Sequence, residues 1–391
     1  MDEDRVFGMG DEPLAAPTWP ALTEAEAASA VAATWGSNGA TIEWRSARPL
    51  SATVGVRTGS ERFVVKRLPS ALRDLGALAE EHRFMAHLRA RGIPVPEVRT
   101  VTGSELRAAA SRNDLGQHRF GVESTEPDSV GGGPADHRRA FVYEVHRLGE
   151  GDDRYRADFS WTPFRDIEDA AGAGTMLARL HSAAEGFDAP ARPARPLLAS
   201  MHSDVIGAFE WHIARRPALA TFLTDRAWRT EVPDLRADLT TVEPLWTHGD
   251  WHPTNLLWRD HEVTSVIDFG LSDRTTAVFD LATAVERTAV DWIALRDGGP
   301  ANVRTDQITA LFEGYQSIRP LNHAESQLLP DLLPLAHIGY ELSEIDYFLT
   351  IPQEPRNAEI AYHDWLLGHL RWYETPEGHD LRTLLHDLSA R

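Results

Sequence analysis

Residues 246–270 carry two short clusters of polar side chains separated by a predicted β-hairpin. Two apolar runs, Leu256–Trp258 and Val263–Ile267, are joined by a four-residue polar turn, a pattern that predicts two antiparallel strands. Asn255 stands at the start of the first strand and Asp268 just after the second. A hairpin therefore makes these two side chains neighbours, and this stretch constrains the rest of the chain most strongly.

Asp250 lies on the loop that leads into this hairpin. One small unit can therefore present a carboxylate base, the carboxamide of Asn255 and the second carboxylate of Asp268 to one point. Phosphoryl transfer from a metal nucleotide needs this set, because the attacking hydroxyl requires a base and Mg²⁺ requires oxygen ligands.

A single lysine, Lys66, stands among the 39 Lys and Arg residues of the chain. It lies in the predicted strand Phe63–Arg67. Arginine and lysine are not interchangeable, since a planar guanidinium cannot replace a compact ammonium at every site. Position 66 therefore either needs a compact positive charge or retains its lysine by chance.

The overall composition limits the function classes. A net charge of −20 over 391 residues argues against a nucleic-acid-binding protein. The acidity suits a cationic small substrate, or it serves only solubility. No cysteine is present, so thiolate chemistry is excluded, and no apolar run approaches the length of a membrane span. The acidic N-terminus lacks a signal-peptide pattern, and we expect a cytoplasmic protein.

The chain length predicts two lobes. We expect a flexible arm over residues 1–20, an N-lobe over 21–145 with a polar insertion at 103–139, and a C-lobe over 146–391. The predicted N-lobe elements are a helix over 23–33, strands over 41–45, 52–58 and 61–67, a helix over 74–91, and strands over 97–101 and 140–145.

The predicted C-lobe is mainly helical apart from the hairpin. Its helices are expected at 167–181, 204–215, 218–229, 279–295, 306–317, 324–333, 336–349 and 358–374, with a final turn near 381–388. A small β-rich lobe followed by a larger helical lobe with a catalytic hairpin is an α+β plan of the bilobal kinase type.

These features resemble the aminoglycoside phosphotransferase and choline kinase family, within the protein-kinase-like superfamily. The resemblance runs from about Thr41 to Trp372 and is specific at three motifs, His248–Asn255, Ile267–Gly270 and Phe279–Ala282. The spacing of the Asp and Asn in the first motif is that of the kinase catalytic loop. The resemblance implies ATP as phosphate donor, with GTP not excluded, and Mg²⁺ as cofactor.

The resemblance also assigns roles to single residues. It implies that Asp250 accepts or orients the substrate hydroxyl proton, that Asn255 and Asp268 hold Mg²⁺, and that Lys66 binds the α- and β-phosphates. The acidic partner of Lys66 is expected to be Glu81, with Glu80 as the open alternative.

Further nucleotide contacts are implied around the predicted lobe boundary. Tyr143, Glu144 and Val145 match the linker whose backbone binds adenine, although an ordinary buried strand is the alternative. Ser51 belongs to the loop at 46–51, which matches the phosphate-covering flap but contains no glycine.

Three more residues are expected to support the catalytic loop. His248 and Asp280 match family positions that stabilise it. His252 is expected to orient the loop, with a contact to the γ-phosphate as the weaker alternative.

The acceptor pocket is expected between the catalytic loop and the C-lobe helices. Acidic and aromatic residues there would suit a cationic or ring-bearing substrate, although ordinary helix-surface acids and core aromatics are the alternative. These residues are Glu286, Asp291, Glu341, Glu344, Asp346, Asp364, Tyr340, Tyr347, Phe348, Trp365 and Trp372.

We expect an antibiotic as the acceptor and therefore a resistance or self-protection kinase. The alternative is a metabolic kinase acting on homoserine, choline, ethanolamine, a sugar or a thiosugar. A nucleotide-binding pseudokinase fits less well, because Lys66, Asp250, Asn255 and Asp268 are all present. Whether the protein is a monomer or a homodimer stays open.

Overall fold

The computed structural model describes residues 20–46, 50–106, 141–158 and 160–389. The predicted arm at 1–20 and the insertion at 103–139 therefore lie almost entirely outside the described residues. The chain divides into two compact units. Within the described residues, the β-sheet unit comprises 20–83 and 96–148, and the helical unit comprises 84–95 and 149–389.

The β-sheet unit is built on five antiparallel strands. They are β1 (Thr41–Arg45), β2 (Ala52–Thr58), β3 (Glu61–Pro69), β4 (Val98–Thr102) and β5 (Phe141–Arg147), in the spatial order β1-β2-β3-β5-β4. The two-residue hairpin predicted at Gly59-Ser60 joins β2 to β3, with Gly59 at φ 58°. All five strands lie within two residues of their predicted positions.

Helix α1 (Glu24–Trp35) begins at the predicted N-cap. The Thr23 side chain accepts a hydrogen bond from the backbone of Glu26, whose own side chain accepts from the backbone of Thr23. The helix ends at Gly36, which adopts the left-handed conformation with φ 73°. The core that α1 shares with the sheet comprises Ala27, Ala30, Val31, Val54, Val56, Phe63, Val65, Val101, Tyr143 and Val145.

Helix α2 (Leu75–Ala90) spans the division between the units, which falls between Arg83 and Phe84. The helical unit contains the following helices. They are α3 (Ile167–Ala184), α4 (Val205–Arg215), α5 (Pro217–Leu223), α6 (Trp228–Glu231), α7 (Ala277–Ala289), α8 (Trp292–Arg296), α9 (Thr305–Gln316), α10 (His323–Thr350), α11 (Pro355–Ile360), α12 (Leu367–Tyr373) and α13 (Pro376–Ser389).

The structure corrects several predicted helix boundaries. The helix predicted at 218–229 is two short helices, α5 and α6, and that at 279–295 ends at Ala289 before α8 begins. The two helices predicted at 324–333 and 336–349 are one long helix, α10, which contains Pro330 and Pro334. Burial of this helix along most of its length compensates for the hydrogen bonds that the prolines remove. Between α11 and α12 the chain forms one π-helical turn, Ala361–Leu366.

Four short strands surround the loop 248–255 in the helical unit. The predicted hairpin is present as β7 (Leu256–Arg259) and β8 (Glu262–Val266). A second ribbon, absent from the sequence prediction, pairs β6 (Pro244–Thr247) with β9 (Asp273–Thr276). The loop 248–255 leaves β6 and enters β7, so both of its ends are held by paired strands. In the part of the chain that is described, no helix has the length and apolar character to span a membrane.

Candidate active site

A single buried carboxylate holds the start of the candidate catalytic loop, residues 248–255. Asp280 on α7 accepts hydrogen bonds from the backbone amides of His248, at 3.0 Å, and Gly249, at 2.8 Å. Its Oδ2 also lies 3.0 Å from Nε2 of His181, whose other ring nitrogen is 2.8 Å from the Tyr315 hydroxyl. Asp280 therefore stabilises the loop in the way that the sequence predicts.

Gly249 allows the loop to turn towards Asp250. Its φ of 78° lies in the left-handed region that side chains disfavour. A Cβ atom at this position would lie 2.3 Å from the carbonyl oxygen of Leu271. Both conformation and space therefore require glycine immediately before the candidate base.

Asn255 is hydrogen-bonded directly to Asp250. Its Nδ2 donates to the backbone oxygen of Asp250 at 2.9 Å and to Oδ2 of the same residue at 3.1 Å. A carbonyl oxygen can only accept, so these contacts assign the amide nitrogen to this side. Oδ1 of Asn255 is then the atom with which this residue can coordinate a cation.

The environment of Asp250 favours its ionised form. Burial alone would raise the pKa of this carboxyl, but His252, Arg287 and His248 outweigh it and hold the pKa below its usual range. Nε2 of His252 lies 3.3 Å from Oδ2, and Nε of Arg287 lies 3.5 Å from Oδ1. The Asp250 side chain is 20% exposed, so a charged base remains accessible to an acceptor.

The two histidines of the loop have different contacts. His248 lies 3.0 Å through Nε2 from the carbonyl of Ile267, and its Nδ1 accepts from the amide of Asp250 at 3.3 Å. These two contacts fix the ring and stabilise the loop. His252 is buried, with Nδ1 2.9 Å from the Thr254 hydroxyl. Its contacts are those of the predicted loop-orienting residue.

The hairpin brings Asn255 and Asp268 to the same end of its two strands. Leu256 pairs with Val266, and the amide of Ile267 donates to the carbonyl of Asn255 at 3.0 Å. Asp268 follows directly and adopts the left-handed conformation at φ 60°, which Asp tolerates better than most residues. Its side chain is exposed. An amide oxygen and a carboxylate form a donor set that fits Mg²⁺.

Lys66 lies in the β-sheet unit, opposite Glu144 on β5 and Thr53 on β2. Glu144 is buried, and its Oε1 is 2.7 Å from Nε2 of His82. Burial would raise the pKa of this carboxyl, but His82, His146 and Lys66 together lower it to about 2. The lysine therefore faces a carboxylate that is ionised at neutral pH.

Glu81 has a cationic neighbour that the sequence analysis missed. Oε1 of Glu81 lies 3.0 Å from Nε of Arg73, and both side chains are almost fully buried. Which of Glu81 and Glu80 is the partner of Lys66 stays a prediction. The position of Glu144 makes it a third candidate partner.

The structure places residues 143–145 within a strand, which is the alternative that the sequence left open. Tyr143, Glu144 and Val145 lie within β5, which has β3 on one side and β4 on the other. Their backbone groups are part of these ladders, which leaves them poorly placed to bind adenine. The hydroxyl of Tyr143 donates to Glu26 at 2.5 Å. Pattern alone could not distinguish a central strand from a linker.

Ser51 lies just before β2 and is buried. Its hydroxyl is 2.9 Å from that of Thr53. Residues 47–49 of the expected flap lie outside the described residues, so a contact of Ser51 with phosphate stays a prediction.

Only some of the acids predicted for the acceptor pocket lie together in the structure. Glu286, Glu341 and Glu344 are buried in the helical unit near Arg287. Asp346 lies 3.4 Å from Arg216. Asp291 caps α8 and Asp364 is exposed, so neither joins this cluster.

Arg287 is the main site residue that the sequence analysis missed. Its guanidinium lies 4.0 Å from the ring centroid of Tyr340 and 4.5 Å from that of Trp161. One of many arginines in this sequence, it carries no local signal, and only the tertiary structure brings α7 against the loop at Asp250.

A comparison with known families identifies the chain. Residues 47–321 match the model of the phosphotransferase enzyme family, over more than half of the sequence. The chain belongs to this family. The predicted family resemblance is thereby confirmed, as is the α+β class of the fold. Asp250, Asn255 and Asp268 all lie inside the matched region.

Curated relatives match about half of this chain. A homoserine kinase of Rhizobium rhizogenes is 28% identical over 200 residues, which cover 49% of this chain and 56% of that protein. A homoserine kinase of Methylocella silvestris is 27% identical over 194 residues, covering 48% and 54%. The chain thus spans about half the length of the curated relatives it matches.

Solved structures show weaker similarity. An amicoumacin kinase in complex with AMP-PNP and Ca²⁺ is 13% identical, with 83% of this chain and 88% of that chain covered and a TM-score of 0.46. A macrolide 2'-phosphotransferase from Brachybacterium faecium is 15% identical, with 84% and 91% covered and a TM-score of 0.42.

Proposed function

We propose that the protein is an ATP-dependent kinase that phosphorylates a hydroxyl group of a small molecule. The observation that carries this proposal is the arrangement of Asp250, Asn255 and Asp268. A hydrogen bond joins the first two, and the hairpin brings the third to the end of the strands where Asn255 lies. A base and two metal ligands on one loop and hairpin are what phosphoryl transfer needs.

In the proposed reaction, the oxygen of the acceptor hydroxyl bonds to the γ-phosphorus while Asp250 accepts the proton of that hydroxyl. The bond between that phosphorus and the β–γ bridging oxygen breaks, and ADP leaves. Arg287 and His252 keep Asp250 ionised before the reaction. Asn255 and Asp268 would hold Mg²⁺, which neutralises negative charge on the phosphates when bound.

The sole lysine supplies the proposed contact with the nucleotide. Lys66 would bind the α- and β-phosphates as a compact positive charge. Glu144, which faces Lys66 across the β3–β5 ladder, would orient its side chain. This assignment rests on the strand position of Lys66 and on the family to which the chain belongs.

The acceptor that we propose first is a small amino acid alcohol such as homoserine. The curated relatives that match half of this chain are named homoserine kinases. In addition, Arg287 places a positive charge beside Asp250, which would favour an acceptor with a carboxylate.

The second candidate acceptor is an antibiotic, which the sequence analysis placed first. The aromatic rings of Trp161 and Tyr340 support a ring-bearing or cationic molecule, whereas burial raises the pKa of Glu341 and Glu344 and so weakens their attraction for a cation. The two candidates require acceptor sites of different size, because homoserine has far fewer atoms to enclose than an antibiotic.

An ADP-release screen tests both levels of the proposal. Purified protein is assayed with ATP and Mg²⁺ against homoserine, choline, ethanolamine, thiosugars, aminoglycosides and macrolides. We expect turnover with homoserine, whereas turnover with an antibiotic alone would reverse the order of the two candidates.

Asp250→Asn should lower kcat by about 10²–10⁴-fold with little change in nucleotide binding. Wild-type turnover in this variant would contradict the kinase proposal, and Asp234→Asn, at an exposed acid, is the control.

A further inference from the structure

The loop between α3 and α4 lines a small cavity beside the candidate base. The lining includes Ser200 of this loop, Gly249 of the candidate catalytic loop, Arg287 of α7 and Tyr340 of α10. Gly249 immediately precedes Asp250, and Nε of Arg287 lies 3.5 Å from Oδ1 of Asp250. A group bound in this cavity would therefore lie next to the base.

Two polar atoms of the cavity lining have no hydrogen-bond partner. Oγ of Ser200 and Nε of Arg287 are both buried, and neither has a partner in hydrogen-bond geometry among the described residues. Buried polar groups without a partner are rare, and each needs an explanation, such as a ligand that the site is built to bind. An arginine Nε–H can only donate, and a serine hydroxyl can donate, so both atoms suit an oxygen acceptor.

Two residues of the same loop hold a left-handed backbone conformation. Leu197 and Ser200 both have φ 61°, in a region that is disfavoured for residues with a Cβ atom. In the described part of the chain, five residues other than glycine have a positive φ, and another of these is Asp268, a proposed Mg²⁺ ligand. Such strain persists where the surrounding structure enforces it, and it is concentrated at ligand-binding and active sites.

Side chains at the end of α4 enforce the conformation of the loop. The guanidinium of Arg216 donates to the carbonyl oxygens of Arg195, at 2.8 Å, and Leu198, at 3.0 Å. His212 accepts from Nε of Arg216 through Nδ1, at 3.0 Å, and its Nε2 lies 3.1 Å from the carbonyl oxygen of Ala199. Arg216 and His212 are both buried. Three carbonyl groups of the loop are thus held in place before any ligand binds.

Helix α10 receives the loop at Gly339. A Cβ atom at this position would lie 2.6 Å from the carbonyl oxygen of Ala199 and 2.7 Å from that of Ser200. Glycine therefore allows the loop to pack directly on α10, one residue before Tyr340. This close packing brings Ser200 to the helix that contributes Tyr340 to the cavity.

The charges around the cavity favour an anionic group. Although burial would lower the pKa of Arg287, Asp250 and Glu286 raise it, so the guanidinium is charged. Glu286 also lines the cavity, but its Oε1 lies 3.0 Å from Nδ1 of His337. The lining therefore offers one permanent positive charge and one hydroxyl to a bound oxygen.

We propose that Ser200 and Arg287 bind the carboxylate of the acceptor and so select acceptors that carry one. This inference rests on the proposed function, in which the acceptor hydroxyl lies against Asp250. A carboxylate has two oxygens and accepts from both donors at once, and hydrogen bonds to an ionised group are stronger than neutral ones. The cavity has room for a group of only a few atoms, so it fits a carboxylate on a short chain rather than a ring. Ser200 is then a specificity-determining residue.

The test compares two acceptors that differ only in the carboxylate, homoserine and 3-amino-1-propanol. ADP release with ATP and Mg²⁺ is measured for the wild type, Ser200→Ala and Ser200→Gly. Glycine adopts φ 61° without strain, so Ser200→Gly removes the hydroxyl without endangering the fold.

We expect the wild type to have the higher kcat/KM for homoserine. Each variant should raise KM for homoserine by about 10–100-fold, the effect of one hydrogen bond to a charged group, and change KM for 3-amino-1-propanol and for ATP by less than about 2-fold. A merely structural role of Ser200 would instead change all three KM values together.

Ser203→Ala is the matched control, because it removes an exposed hydroxyl three residues away and should keep every wild-type KM. Wild-type KM for homoserine in the Ser200 variants, or an equal loss with both acceptors, would overturn the carboxylate assignment. Turnover of an antibiotic or of 3-amino-1-propanol without turnover of homoserine would also overturn it, while the proposed kinase would stand. Absence of ADP release with every acceptor of the screen would overturn the proposed function and this inference with it.

Discussion

The carboxamide nitrogen of Asn255 lies 3.1 Å from Oδ2 of Asp250, so a proposed metal ligand is hydrogen-bonded to the proposed base. The same nitrogen also donates to the backbone oxygen of Asp250 at 2.9 Å. This pair of contacts directs Oδ1 of Asn255 away from the base. One residue thereby orients the base and offers an oxygen to a cation.

Two substitutions at Asn255 should separate these roles. Asn255→Ala removes both, and we expect kcat to fall by about 100-fold or more with a higher Mg²⁺ requirement. Asn255→Asp keeps a metal-binding oxygen but removes the donor and adds a negative charge beside Asp250, so kcat should fall with little change in Mg²⁺ requirement. Steady-state kinetics over a range of Mg²⁺ concentrations checks both, with Asn302→Ala at an exposed asparagine as control. Wild-type kcat in Asn255→Asp would show that the hydrogen bond to Asp250 is unimportant.

Lys66→Arg should impair the enzyme although it preserves the charge. A bulkier, planar guanidinium cannot reproduce the contacts of a compact ammonium with phosphate. We expect kcat/KM for ATP to fall by about 10–100-fold, roughly 1.4–2.7 kcal/mol of transition-state stabilisation. Arg62→Lys, on the same strand but exposed, is the reciprocal control and should have no effect. If Lys66→Arg behaves like this control, the proposal that Lys66 binds phosphate is wrong.

Gly249→Ala should displace the catalytic loop. The new Cβ would lie 2.3 Å from the carbonyl oxygen of Leu271, in a backbone conformation that alanine disfavours. We expect kcat to fall by about 100-fold, as for a small misplacement of a catalytic group, with nearly unchanged nucleotide binding. Gly298→Ala is a matched control, because Gly298 has φ 79° but no atom within 4 Å of the added Cβ. If both variants have the same kcat, the close approach of residue 249 to Leu271 does not position the loop.

Glu144 should make the free energy of unfolding depend on pH. Its pKa is lowered from 4.5 to about 2 in the folded state, so it stabilises the fold above about pH 4.5 and loses this contribution as the pH falls towards 2. Glu144→Gln should therefore reduce the free energy of unfolding at pH 7, by about 1–3 kcal/mol, and the difference from wild type should shrink on acidification through that window. Urea unfolding at several pH values measures this.

The control for this measurement is Glu97→Gln. Glu97 is an exposed glutamate that pairs with Arg99, and its loss should change stability by less than about 0.5 kcal/mol. If the stability of Glu144→Gln follows wild type at every pH, the buried carboxylate contributes nothing to folding.

Strong periodicity and turn chemistry predicted most of the β-sheet unit. The capping box at Thr23 and the hairpin at Gly59-Ser60 are local signals, and both are present in the structure. The long helix α10 was divided in the prediction because Pro334 reads as a helix breaker. Burial of the helix decided otherwise, and burial is a property of the whole fold. The ribbon of β6 and β9 was missed because its strands are only four residues long.

The sequence by itself determined which chemical groups are available. It determined the single lysine, the spacing from Asp250 to Asn255, and the hairpin that returns the chain to Asp268, because these depend on residue identity and local pairing. Only the tertiary structure decided that Arg287 lies against Asp250 and that Ser200 lines the same cavity as Arg287. Those residues stand far apart in the chain, and no local pattern encodes which elements pack together.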